Sequence, residues 1–579
     1  MSRAVQISAL LLASTGWASA GEFAAIIKVR QDHADGERMK VAPGSVIGIE
    51  AGSRTTLILE NFKGTKEHPI VFMNVGGRVE VENSDRGFAI AINKCRFVRF
   101  TGTGDPKEKY GFRAQTHKEG MHAFSVCLSS DFEVDHVEIS GAGFAGFNIK
   151  SEPSTDGSTN RDKFTMYNAV LHDNFVHDTK GEGFYVGHTF YNGWKDEKSG
   201  KVLLPHVIKG LRIYNNITHN TGCEGMQIGS AVEDVKIYNN HITKTGTTPF
   251  ADHQNNGVQI GVGTTGEFYN NFIKDAPGTG LIFWGNGDNY VYNNVIVNAG
   301  GTGIYCMDKG LDSGVAYRFV NNTVVNSGGG GIWLNLEKVP RAVVLNNLIV
   351  APGKGSAIAR MGNVKLEEKN NLCLKTIEEA GFLDSAKDDY RLGPNSKARC
   401  AATPFTELKI AGDFADTPRP ANGPWDVGAF QYVDPKAPPR TAAFQAARSG
   451  QDARAPLKLK DGALAAWDQK LLARLQDALT AGKRIRFTIV SQKKPFTLLQ
   501  IEKGTYFILE LDGGKLPVPF KMIELPEKCE LARGLAQSDV AEDHALAAFY
   551  LLTLNKAEAA TEHLQRAGAG AEEVKKAFE

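Results

Sequence analysis

The sequence predicts an all-β architecture: a right-handed parallel β-helix solenoid, with a small α/β, mostly helical domain behind it. Two recurrences carry that expectation. The first is an Asn-Asn pair set in a short apolar strand and written seven times, at 215–216, 239–240, 270–271, 293–294, 321–322, 346–347 and 370–371. The second asparagines are 24, 31, 23, 28, 25 and 24 residues apart. A period in the twenties built from strand-sized apolar pieces is that of stacked coils. The second recurrence is a glycine that opens an alternating strand, as in Gly183-Phe184-Tyr185-Val186-Gly187 and Gly225-Met226-Gln227-Ile228-Gly229. It returns at Gly257, Gly280, Gly303 and Gly331.

Period-two alternation turns Phe184, Met226, Val258, Leu281, Ile304 and Ile332 inward, each stacked on its counterpart in the next coil. The asparagines suit a corner, where they tolerate a tight turn and bond the same residue one coil away. N-terminal coils and a cap are expected over 21–120, with strands near 46–50, 55–59, 70–74 and 88–92, and the solenoid with both caps is expected to run from 21 to 433. A closing segment at 389–430 is expected to cover the last coil, which would otherwise expose an apolar end and unpaired edges. Residues 434–460, rich in Pro, Ala, Arg and Gly, read as a linker. Beyond it, 461–579 reads as an α+β domain that ends in a helical hairpin and serves packing or docking.

Residues 1–20 have the form of an export signal, with Arg3, an apolar run from Ile7 to Leu12, and Ala18-Ser19-Ala20 as cleavage site. That run is too short to span a bilayer. The expected location is secreted, periplasmic or cell-surface. Seven cysteines form no even framework, with Cys373 and Cys400 the one candidate pair. A net charge of +1 gives no bulk field to hold a polyanion, which argues against nucleic acid. Oligomeric state is not legible.

Insertions locate a cleft. The stretches 151–163, 188–206 and 307–314 follow glycine-led strands, and 245–256 precedes one. Loops rising on both margins of a sheet face make a groove on a rigid scaffold. The outward residues of that face are Asn148, Lys150, Tyr185, Gln227, Gln259, Ile282, Tyr305 and Trp333. Amides and aromatic rings at such a face suit a polysaccharide, through hydroxyl hydrogen bonds and stacking. Glu182 and Glu224 precede the strand glycines in adjacent coils, so their equivalent atoms are expected about 5 Å apart. Such a pair shares a proton, binds a cation or splits its pKa values. Asn256, one coil on, adds an oxygen, making Glu182, Glu224 and Asn256 the candidate calcium ligands. Strict alternation would instead turn both glutamates inward. Lys150, Tyr185, His188 and His253 are candidate acids and bases, with His172, His177, His219 and Asp252 expected near the same level.

Leu59-Glu60-Asn61-Phe62-Lys63-Gly64-Thr65-Lys66-Glu67-His68-Pro69-Ile70 resembles the opening coils of the chondroitinase-B-like and alginate-lyase β-helix family. Cys223-Glu224-Gly225-Met226-Gln227-Ile228-Gly229-Ser230 is similar to the family's glutamate-bearing strand, which supplies a calcium ligand. Residues 278–287 resemble the coil after its catalytic strand. The resemblance covers roughly 55–300 and implies an exported polysaccharide lyase. The family's lysine base and arginine partner are absent: Gly261-Val262-Gly263 stands at the first position and Trp284 at the second, where Trp284 becomes a substrate-binding candidate beside Asn148, Gln227, Gln259, Tyr305 and Trp333.

Three readings follow. In the first, the protein cleaves an acidic, uronate-containing glycan by β-elimination. In the second, Glu182 and Glu224 are the carboxylate pair of a retaining glycosidase. In the third, the solenoid is a surface glycan binder without catalysis.

Overall fold

The computed structural model describes residues 23–285, 287–308, 314–420 and 422–434. In the C-terminal unit it describes 459–460, 462–489, 494–502, 505–511, 514–523, 525–536, 540–554 and 557–578. The expected export signal at 1–20 lies outside the described residues, as does nearly all of the expected linker.

Residues 23–434 form a parallel β-helix. Twelve strands, from His33–Asp35 to Ile358–Met361, stack in parallel register as sheet 1. The other two faces are continuous across the asparagine corner. Sheet 2 holds strands such as Arg212–Tyr214 and Asn289–Tyr292, and sheet 3 their successors Ile217–Thr221 and Val295–Val297. Inward residues stack as like on like. Phe147 and Phe184 lie 4.9 Å apart with rings 16° from parallel, and Phe184, Met226, Ile304 and Ile332 are fully buried. Removing such apolar surface from water is the main stabilising term of a solenoid coil.

The corner is an unbroken amide ladder. From Asn174 through Asn216, Asn240, Asn271, Asn294, Asn322 and Asn347, each Nδ2 donates to the Oδ1 of the next, ending on Asn371, at 2.9–3.1 Å. Each Oδ1 also accepts the backbone N–H of the preceding coil's asparagine. The residue before each rung is left-handed, from Asn293 at φ 53° to Asn346 at φ 59°. Asparagine tolerates that region, which is why the pairs recur. Asp173, at φ 53°, plays the part ahead of Asn174.

The closing segment departs from expectation. Its apolar residues Tyr390, Leu392, Phe405, Phe414, Trp425 and Phe430 pack along the outer side of sheet 3, against Val295, Val297, Val325, Leu348 and Val350. The left-handed asparagines dock it: Asn293 Nδ2 donates to Gly412 O, Asn321 Nδ2 to Asp426 O and Asn346 Nδ2 to Thr403 O. Its apolar surface therefore covers the flank of sheet 3. At the last coil Ala357, Ile358 and Leu366 stay only partly buried, beside a cavity of about 260 Å³ lined by Ile349, Ala357, Ile358 and Leu372. All seven cysteines are free, so Cys373 and Cys400 are not bridged.

The C-terminal unit is a separate compact body. A four-stranded antiparallel sheet, Ile485–Ile489 to Gly514–Pro519, packs with helices Ala463–Thr480, Leu525–Leu535 and Ala541–Thr553 around Trp467, Phe487, Phe507 and Phe549. Helix Ala557–Arg566 pairs with Ala541–Thr553. No described helix is long and apolar enough to cross a membrane.

Candidate functional site

Register along sheet 1 fixes one outward column. Asn148 pairs with Tyr185, Tyr185 with Gln227, Gln227 with Gln259, Gln259 with Ile282, Ile282 with Tyr305, and Tyr305 with Trp333. Its side chains touch from coil to coil. Gln259 Nε2 donates to Gln227 Oε1 at 3.1 Å, and Trp284 Nε1 donates to Gln259 Oε1 at 3.1 Å. Trp284 meets Tyr305 edge to face at 5.9 Å, and Tyr305 meets Trp333 the same way at 5.4 Å. Asn335 Nδ2 donates to the Tyr305 hydroxyl at 3.2 Å. The column opens as it runs: Asn148, Tyr185 and Gln227 are buried, Gln259, Trp284 and Tyr305 half-buried, and Trp333 is 38% exposed.

At the buried head sits an ionic chain. Lys150 Nζ lies 2.6 Å from Glu152 Oε1 and 4.3 Å from the centre of the Tyr185 ring. Glu152 Oε2 meets His188 Nε2 at 3.0 Å. The hydrogen bond from His188, with the charge of Lys150, holds the Glu152 carboxyl down at about 2. Behind them His206 Nε2 accepts the Ser151 N–H at 3.1 Å, and burial pushes that imidazole down to about 4. Burial likewise lowers His122 to about 4. The insertions border this head, where Glu152 itself is exposed. Glu152 comes from 151–163, and Tyr191, from 188–206, lies against Gly263, where a Cβ would sit 2.2 Å from a ring carbon. Phe250, from 245–256, packs on Phe144 at 5.5 Å and is 58% exposed. Glu152 was missed in the sequence, where a lone acid inside an insertion carries no pattern.

Glu182, Glu224 and Asn256 hold one position in three successive coils, two residues before the paired Phe184, Met226 and Val258. Both glutamates are fully buried, and Asn256 is 4% exposed. Asn256 Nδ2 donates to Glu224 Oε1 at 2.9 Å and to His253 O at 2.7 Å. No other described residue bonds either oxygen of Glu182, or Oε2 of Glu224. Burial raises both carboxyls to about 7, and at Glu224 the neighbouring Glu182 adds to it. Calcium takes six to eight oxygens. Here three carboxylate oxygens are unpartnered, while Asn256 turns its NH2 to Glu224 and gives its oxygen to the Thr279 N–H at 3.1 Å. The donor set does not fit calcium. Nor can the pair flank a glycosidic bond, since neither carboxyl reaches the surface.

The remaining histidines are elsewhere. His253 is exposed, and only its carbonyl meets the column, through Asn256. Asp252 is exposed on the same loop. His172 lies on sheet 2, stacked on Tyr214 at 4.7 Å, while His177 and His219 are on sheet 3. Among the described residues two triads bring potential metal-binding atoms within 4.8 Å, His33–Asp35–Glu60 and Glu133–Asp135–His172. The second is an ion-pair cluster closed by Arg99. Burial works against the Asp135 carboxylate, yet His136, Arg99 and His172 hold it down to about 2. Burial likewise opposes His172⁺, and bonds to Asp173 and Glu133 raise it to about 9.

The family described as the right handed beta helix region matches residues 247–371. No curated protein sequence matches the chain. Among solved structures, pectate lyase Pel9A is 14% identical over 68% of this chain and 89% of its own, with a TM-score of 0.40. An alginate lyase from Paenibacillus sp. str. FPU-7 is 13% identical over 58% and 99%, at 0.32. A GH136 lacto-N-biosidase from Eubacterium ramulus is 13% identical over 62% and 68%, at 0.36. At those values the three carry no argument about chemistry. The matched repeats, the parallel three-faced stack and the corner ladder together make the solenoid a right-handed parallel β-helix.

Proposed function

We propose that the protein is an exported, carbohydrate-active β-helix protein that lays a polysaccharide along sheet 1 and cleaves it by β-elimination beside a uronate unit. The observation that carries this is the contact of Lys150 with Tyr185 and Glu152, and of Glu152 with His188, at the head of the amide and aromatic column. β-Elimination needs a cation to neutralise the uronate carboxylate, a base for the proton at C5, and an acid for the departing O4. Lys150 is the cation and exchanges Glu152 for the substrate carboxylate. His188 and Tyr185 flank it as proton acceptor and donor, the imidazole taking the C5 proton and the phenol O–H supplying the proton for O4. The C5 proton leaves, a C4=C5 double bond forms, the C4–O4 bond breaks and O4 takes a proton. No step passes through Glu182, Glu224 or a metal.

A panel of uronate polymers, followed by ultraviolet absorbance of the chain-end double bond, tests this. Product that disappears in Lys150→Ala supports it. An inactive panel, with glycan still bound, would favour the binder reading, to which the same column equally lends itself.

A further inference from the structure

Five successive strands of sheet 1, Met226–Ile228, Val258–Ile260, Leu281–Trp284, Ile304–Met307 and Ile332–Asn335, hold no lysine, arginine, histidine or acid. Their outward side chains are amides, rings and two uncharged chains: Gln227, Gln259, Trp284, Tyr305, Trp333 and Asn335, with Ile282 and Met307 between them. Among the described residues the outward columns hold one lysine or arginine, Lys150 at the head, and Glu152 already balances it. At the open end, Asp308 spends its carboxylate on the backbone N–H groups of Glu337, Lys338 and Val339.

Neighbouring strands lie about 4.8 Å apart, so one pyranose unit of a chain running along the solenoid spans about one coil. A homopolymer of uronate would therefore set one carboxylate on each of these five strands. Each would lose water against an amide, a ring or an aliphatic side chain, with no cation to replace it, and such desolvation is unfavourable. Neutral sugars meet no such penalty. Their hydroxyl and N-acetyl groups bond to the side-chain amides, and their C–H faces lie on the indole of Trp333.

We infer that the column beyond Lys150 binds neutral sugar units, so that the glycan is a heteropolymer in which uronate is spaced by neutral or N-acetylated residues. This rests on the proposed function for the uronate placed at Lys150, while the neutral column stands on its own side chains.

Titration calorimetry with three decasaccharides tests it: a homopolyuronate, a mixed chain in which one uronate unit is followed by a run of N-acetylhexosamines, and a neutral N-acetylhexosamine chain. The mixed chain should bind about tenfold tighter than the homopolyuronate. Its affinity should change no more than about threefold between low and high salt, because few charges are paired along the column. Trp333→Ala should weaken it about tenfold without moving the thermal midpoint. Equal or tighter binding of the homopolyuronate overturns the inference; so does a steep loss of affinity in salt, or failure of all three chains to bind. Mixed-chain binding without unsaturated product would leave the inference standing and remove β-elimination. Unsaturated product from the homopolyuronate alone would do the reverse.

Discussion

Glu182 lies one coil from Glu224, the two main chains joined by Gly183 N–H donating to Glu224 O at 3.0 Å, and both carboxyls fully buried. Two carboxylates so placed cannot both ionise at low cost. The pair is therefore a store of protons in the folded state, with consequences for stability.

The pH dependence follows from the direction of each shift. Folded Glu182 and Glu224 titrate near 7, above the ordinary 4.5, so the folded state holds more protons between those values. Their contribution is complete below the unfolded value and lost as pH rises through about 7. His122 and His206 are lowered to about 4 from 6.5, so theirs is complete above 6.5 and lost as pH falls through about 4. From these four groups, thermal midpoints should peak near pH 5 to 6. Glu182→Gln should flatten the alkaline limb, by an amount of order 3 kcal/mol for one group. An unchanged alkaline slope in that variant would clear the pair of responsibility.

Because the Glu182–Glu224–Asn256 oxygens do not make a calcium site, chelator should leave both the thermal midpoint and any turnover where they were. Added calcium should give no shift by ligand linkage. A rise of several degrees with calcium, abolished by Glu224→Gln, would contradict this.

Asn294 makes four ladder contacts, to Asn271 N, Asn271 Nδ2, Phe268 O and Asn322 Oδ1. Asn294→Ala leaves several buried partners unmet, each at about 1–3 kcal/mol. A large fall in the denaturation midpoint is expected, whereas the exposed Trp333→Ala should stay within about 0.5 kcal/mol of the parent.

At the head of the groove, Lys150→Ala and Glu152→Gln separate charge from fold. Lys150→Ala should lower turnover about a hundredfold or more, with circular dichroism unchanged. Glu152 is held down to about 2, so it stays ionised through neutral and mildly acidic pH, and the acid limb of a rate profile should persist in Glu152→Gln. Loss of that limb in the variant would assign it to Glu152 after all.

The closing segment hangs on Arg419, whose guanidinium is buried and donates to Asn293 Oδ1 and Gly428 O at 2.9 Å. Arg419→Ala should expose the segment to protease while coils 70–350 resist digestion. Equal digestion rates in variant and parent would show that apolar packing alone retains it.

What the sequence determined by itself is what repeats. Alternation with period two and a recurrence in the twenties are local patterns, and they were enough for a coil, its inward apolar columns, its asparagine corner and the outward run from Asn148 to Trp333. Asn174 escaped only because Asp173 breaks the Asn-Asn spelling while keeping the same backbone geometry. What only the tertiary structure decided lies where the repeat stops. The burial of Glu182 and Glu224 depends on the corner before each glycine, the pairing of Glu152 with Lys150 and His188 on how an insertion folds back, and the sheet 2 and sheet 3 sites of His172 and His177 on which side of a corner each falls. The closing segment lies along sheet 3 because Val295, Val325 and Leu348 present an apolar flank there. Periodicity fixes the direction of a side chain along a strand; a loop or a corner has no period, and its side chains are directed by contacts between residues far apart in the chain.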